Sequence, residues 1–145
     1  MNRWLRQELV QQLTRHEGLR LKPYYDTVGV LTIGIGRNLS EKGITQAEAF
    51  ELLQNDLDVC ERELNANCPW WTDHPFEVQK AMMNMVFNLG LSRFLKFKNM
   101  LAALDDFDYE TAAEEALDSL WADQVGDRAK EIAAMIRGPH GKNVA

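Results

Sequence analysis

The sequence predicts an α+β fold in which a small N-terminal β-hairpin lobe is joined by a long helix to a larger all-helical C-terminal lobe. Three observations lead there. Apolar residues recur at helical spacing as far as Glu17. The pattern then becomes extended through a glycine-punctuated run ending at Gly36, and from Thr45 onward the apolar spacing is helical again. With 145 residues, 46% of them hydrophobic, the chain is long enough for one compact domain and too short for two independent cores. Within a single domain, 1–145, the expected divisions are a small β lobe over about 16–45, an inter-lobe helix over about 46–66 and a helical lobe over about 67–145, with an N-terminal helix, 3–16, packing on the helical lobe.

Each element carries its own signal. Trp4, Leu5, Leu9, Val10 and Leu13 form one apolar stripe and set the first helix. Leu19 and Leu21 alternate with Arg20 and Lys22, Val28-Gly29 reads as a turn, and Val30 to Ile35 is β-rich, which together make a hairpin. Thr45-Gln46-Ala47-Glu48 fits a capping box, in which the threonine bonds the third helical amide and the glutamate reaches back. Behind it Ala49, Phe50, Leu53, Leu57, Cys60 and Leu64 mark the long helix, which Asn65 to Pro75 interrupts. Phe76 to Leu89 is apolar on several faces, as a buried central helix must be, and Gly90 is placed to end it in a left-handed cap. Phe97, Met100, Leu101 and Leu104 mark a shorter helix, and Asp108 caps one carrying Ala112, Ala113, Ala116, Leu117 and Leu120. Ile132, Met135 and Ile136 line the last helix before Gly138-Pro139. No internal repeat or low-complexity segment interrupts this order.

The change of periodicity after Glu17 has a chemical consequence. A helix that ends at Glu17 delivers it into the mouth of a hairpin carrying Asp26 and Thr32, so that two carboxyl groups and a hydroxyl converge on one cleft. Glycoside hydrolysis needs one carboxylic acid to protonate the leaving oxygen and one carboxylate to activate water or attack carbon. A carboxyl packed against apolar neighbours keeps its proton to higher pH than one in a wet, hydrogen-bonded setting. On that criterion Glu17, at the end of an apolar helix face, suits the acid, and Asp26, between Tyr25 and Thr27 in a polar loop, suits the base. Taken singly, Glu17 reads as a solvated helix-end carboxylate, Asp26 as a turn residue and Thr32 as a β-branched strand residue. Gly34 and Gly36 serve either the hairpin's backbone or the close approach of a sugar. Trp70-Trp71, beside Pro69, reads as a sugar-stacking surface or as a loop anchored on the helical lobe.

The joint spacing decides among these. Glu17, eight residues, Asp26, five residues, Thr32, then Ile33-Gly34-Ile35-Gly36, resembles the phage-type lysozymes, glycoside hydrolase family 24, the T-even phage lysozyme-like endolysins. The likeness continues through Thr45 to Asp58, similar to the start of the family's inter-lobe helix, through Asn84 to Gly90, similar to its central helix, and through Trp121 and Arg128-Ala129-Lys130 near the end. The resemblance implies a two-lobed lysozyme fold and hydrolysis, with inversion, of the β-1,4 bond between N-acetylmuramic acid and N-acetylglucosamine of bacterial peptidoglycan. In that scheme Glu17 is the acid, and Asp26, helped by Thr32, positions and deprotonates water. Phe87 borders the sugar cleft, and Arg128 lies near Glu17 across it and fixes its rotamer. It implies no metal and no cofactor. Some positions depart from the family pattern. Arg37 replaces a histidine and is expected to pair with Asp56, Asn38 replaces a leucine at a substrate-binding position, and Met100 and Glu115 stand at two polar sugar contacts. The nearer alternative is a lytic transglycosylase, in which one glutamate does both acid and base work. The more distant one is a non-catalytic wall-binding or tail-assembly module.

Composition bounds the partners. The formal charge of −6 argues against nucleic acid. Met1 to Lys42 nevertheless holds seven basic and four acidic residues, a balance of +3 that leaves −9 for the remainder, so the proposed catalytic lobe is the cationic part. Cys60 and Cys68, eight apart, would lie roughly 12 Å apart on one helix, so free thiols are expected, and with three scattered histidines they show no metal-ligand spacing. Arg3, Arg6 and Glu8 interrupt the N-terminal residues before any long apolar run, which predicts no signal peptide and no membrane insertion. Without an export signal, the chain resembles a phage endolysin that waits in the host cytoplasm until a separate protein permeabilises the membrane, and a monomer is expected.

Overall fold

The computed structural model describes residues 1–141. Its internal contacts divide the chain into two compact units, the first Met1–Glu51 and the second from Leu52 onward.

In the first unit, helix α1 (Arg3–Glu17) begins where the Asn2 side chain accepts the amide of Leu5 at 2.8 Å. It ends at Gly18, whose φ of 77° turns the chain out of the helix while its N–H still reaches the Thr14 carbonyl. A three-stranded antiparallel sheet follows in the order β1 (Arg20–Tyr25), β2 (Leu31–Gly34), β3 (Arg37–Asn38). Tyr24 lies opposite Thr32, and Thr32 opposite Asn38, so these three side chains share a face across the sheet. The β1–β2 register shifts between Arg20 and Tyr24, and Pro23 sits in that irregular stretch of an edge strand, where a missing amide is tolerated. A single turn, α2 (Leu39–Lys42), is capped by Asn38 and closed by Gly43.

Helix α3 (Gln46–Asn67) starts as the sequence predicts. Glu48 N–H donates to Thr45 Oγ1 at 3.1 Å, and Thr45 N–H donates to Glu48 Oε1 at 2.9 Å, completing the capping box. The division between the units falls within this helix, after Glu51.

In the second unit, the break expected over Asn65 to Pro75 contains a 3-10 helix, Pro69–Asp73. Trp71 is buried there and its indole N–H donates to Asn65 Oδ1 at 2.7 Å, so this tryptophan anchors a loop. Helix α4 (Phe76–Leu89) has five buried side chains, Val78, Ala81, Met82, Met85 and Val86, and stops at Gly90 with φ 79°. Around it lie α5 (Leu91–Phe94), α6 (Lys98–Asp105), α7 (Tyr109–Leu117), α8 (Leu120–Val125) and α9 (Asp127–Gly141). The core they enclose includes Leu64, Phe94, Met100, Leu104, Ile132 and Ile136. Asp108 caps α7 by accepting the Thr111 amide. Leu120 is not part of that helix: the chain leaves helical geometry at Asp118, and Ser119 starts α8 by accepting from Ala122 N–H at 3.1 Å. Helix α9 kinks at Gly138, beside Pro139. Cys60 and Cys68 are free and buried, and burial pushes both thiols up from their ordinary value. No helix among the described residues is long and apolar enough to cross a membrane.

Candidate active site

The peptide of Val30 organises the hairpin. Its N–H donates to Asp26 Oδ1 at 2.8 Å, and its carbonyl accepts both from the Asp26 amide at 2.9 Å and from Thr32 Oγ1 at 2.8 Å. Asp26 Oδ1 takes a second amide, from Val28, at 2.9 Å, and Gly29 N–H closes the turn on the Asp26 carbonyl at 3.1 Å. The aspartate thus wraps the loop in an Asx turn, for which an acceptor three bonds from Cα is the right length. One consequence is a division of labour within each group. Oδ1 of Asp26 is bound by two amides, which leaves Oδ2 as the oxygen able to receive a proton. The Thr32 hydroxyl spends its only proton on Val30, so towards any further partner its oxygen can act only as an acceptor. Thr32 is 4% exposed, and its neighbours therefore fix its rotamer.

Glu17 reaches the same hairpin from α1. Its carboxyl lies over Gly36, where a Cβ would stand 2.8 Å from Oε2. The sequence-level expectation gave Glu17 apolar neighbours, whereas its side chain is exposed and rests against glycine backbone. The three residues chosen from sequence therefore all lie on the α1–hairpin segment of the first unit. Asn38 shares the Thr32 face, but its Oδ1 is taken by the Glu41 amide at 3.0 Å, so its amide NH₂ is the end suited to a ligand.

Phe87 and Arg128 belong to the second unit. Phe87 is 44% exposed and, with Leu53, Leu57, Phe76 and Met83, lines a groove of about 540 Å³. Arg128 lines the same groove, its guanidinium fixed by two bonds to Asn84 Oδ1 at 3.1 and 2.8 Å. Met100 and Glu115 line a separate cavity of about 330 Å³ with Trp121 and the cations Arg93, Lys96 and Lys98. Trp121 itself is a core residue whose indole donates to Asn88 Oδ1 at 2.7 Å.

One expected pair is corrected. Arg37 binds Glu48, not Asp56: Nη1 meets Oε1 at 3.0 Å and Nη2 meets Oε2 at 2.9 Å, while Nη1 also donates to the Gly43 carbonyl at 3.2 Å. The reason is the helix start. The capping box turns the Glu48 carboxylate back towards the loop before α3, whereas Asp56 is eight residues further on, about 12 Å along the axis. The Thr45 amide and the Arg37 guanidinium hold the Glu48 carboxyl below its ordinary range.

Sequence reasoning missed Val30 and the contact between Gly36 and Glu17. The Asx spacing from Asp26 to Val28 was a readable signal for the first. The second depends on a contact between segments nearly twenty residues apart and has no local signature.

A helix leading into a three-stranded sheet that presents Asp26 and Thr32, followed by a capped long helix and a helical unit, defines a lysozyme-like α+β protein. The phage lysozyme family model matches residues 14–137, and the chain belongs to that family, a class of glycoside hydrolases. It is 31% identical to the pre-baseplate central spike protein Gp5 of Enterobacteria phage T4 over 88% of the chain, though it spans only 27% of that protein's length. It is 29% identical to the probable T4-type lysozyme 1 of Dictyostelium discoideum, covering 83% of this chain and 88% of the relative. It is 32% identical to the endolysin of Salmonella phage P22, covering 68% and 77% respectively.

Proposed function

We propose that the chain hydrolyses the β-1,4 bond between N-acetylmuramic acid and N-acetylglucosamine in bacterial peptidoglycan, acting as an endolysin in host lysis. Glu17 donates its proton to the glycosidic oxygen. Water held by Thr32 Oγ1 gives its proton to Asp26 Oδ2 and attacks the anomeric carbon from the opposite face, inverting it. In the same reading Asn38 and Phe87 are substrate-binding residues and Arg128 is a supporting one. The observation that carries this reading is the Val30 peptide, which bonds both Asp26 and Thr32 and leaves Asp26 Oδ2 and the acceptor side of Thr32 Oγ1 for a further partner. A lytic transglycosylase has no use for that second carboxylate.

Mass spectrometry of digested wall is the test. Hydrated reducing ends from the native chain, and none from Glu17→Gln, are expected. Anhydro sugar ends, or undiminished cleavage by Glu17→Gln, overturn the reading. The likeness to a spike protein favours a second reading of location, in which the same chemistry is carried on the virion. Finding the chain in purified particles by peptide mass spectrometry distinguishes this from a free endolysin.

A further inference from the structure

We propose that Gly36, clamped through Arg37 to Glu48, is the positioning element for the Glu17 carboxyl, an inference that rests on Glu17 being the acid. A side chain at residue 36 would place Cβ 2.8 Å from Oε2, 2.9 Å from Cδ and 3.0 Å from Cγ of Glu17. The glutamate head therefore occupies the space a side chain would take. Gly34, two residues earlier, has the same left-handed backbone, φ 70° against 66°, and open space where its Cβ would stand. Position 34 demands glycine for backbone reasons alone, and position 36 demands it for the carboxyl as well.

The floor under Glu17 is fixed from two sides. Arg37 pairs with Ile33 in the β2–β3 ladder, which holds the backbone just after Gly36. Its guanidinium forms the two-pronged bond to Glu48 and a third to Gly43, and Glu48 is itself held by the Thr45 amide. A bidentate guanidinium–carboxylate pair sets angle as well as distance, which an ammonium cannot reproduce. Because the atoms that meet Cβ are the free end of a flexible side chain, a methyl at residue 36 displaces the acid rather than the fold. A shift of about 1 Å in a catalytic group costs on the order of 100-fold in rate.

The test is carbon NMR of the full chain labelled at glutamate Cδ, with the Glu17 signal assigned by its loss in Glu17→Gln, alongside kinetics on solubilised glycan strands. Gly36→Ala is expected to move the Glu17 signal and lower kcat about 100-fold with KM within about twofold. Gly34→Ala carries the same backbone penalty and is expected to leave the signal in place. Arg37→Lys keeps the charge but loses the fork, and is expected to move the signal in the direction Gly36→Ala does, with a kcat loss of about 10-fold. An equal displacement in Gly34→Ala, or an unmoved Glu17 signal in Gly36→Ala, overturns the proposal. If Gly36→Ala does not fold, an unmoved signal in Arg37→Lys overturns it instead. Failure of Glu17 as the acid would show separately, as activity retained in Glu17→Gln.

Discussion

In the proposed reaction Asp26 does two jobs with two oxygens, and a substitution can separate them. Asparagine keeps an acceptor for the Val28 and Val30 amides and loses the proton acceptor. Asp26→Asn should therefore fold with unchanged thermal stability and cleave wall about 100- to 10,000-fold more slowly, the range a general base contributes. Turbidity loss of purified wall, read beside a melting curve, checks both halves. At this scale the sequence was legible where the chemistry is local. Glu17, Asp26 and Thr32 sit within sixteen residues, and the hairpin that gathers them is written in the alternation and glycines of the same stretch. The partner of Arg37 was not legible, because Glu48 and Asp56 both lie on the following helix and only the capping geometry decides which one turns back.

Helix termini carry the predictions that belong to elements. The Glu48 carboxyl sits below its ordinary value of 4.5 because it is bonded to the Thr45 amide and Arg37 in the folded chain. A lowered folded value means that its stabilisation is complete above that ordinary value and is lost as pH falls through the folded one. The stability gap between the native chain and Glu48→Gln, measured by urea titration, should stay constant from pH 7 to about 5 and close below that. Ser119 is the hinge between α7 and α8, donating to the Ala116 carbonyl at 2.8 Å while accepting the Ala122 amide. Ser119→Ala should cost about 1 kcal/mol, a fall of roughly 3–5 °C in melting midpoint. The long helices were readable because an apolar stripe needs several turns to show its period, and α4 carried enough of them. The four- to six-residue helices α2, α5 and α8 are too short for that and are set by caps and contacts instead, which is why apolar spacing alone places Leu120 on α7 rather than α8.

Across the whole molecule, burial is concentrated in the second unit. Among the described residues, every fully buried large side chain, from Leu64 to Ile136, lies there, while Thr32 is the only buried residue of the first unit. Composition signalled a core of this size, and the crowded apolar faces of α4 signalled its centre. The first unit instead relies on hydrogen bonds and glycine geometry, which hydrophobic patterning does not encode. Three of the largest core side chains are the thioethers Met82, Met85 and Met100, each at most 1% exposed. Peroxide reaches a thioether only when the surrounding helices part, and the sulfoxide it leaves is too polar to be repacked. These methionines thus form an internal clock: in dilute peroxide, the rate at which their peptides gain one oxygen should follow the breathing of the helical unit. Exposed Met1 should oxidise far ahead of them in the same mass spectrum.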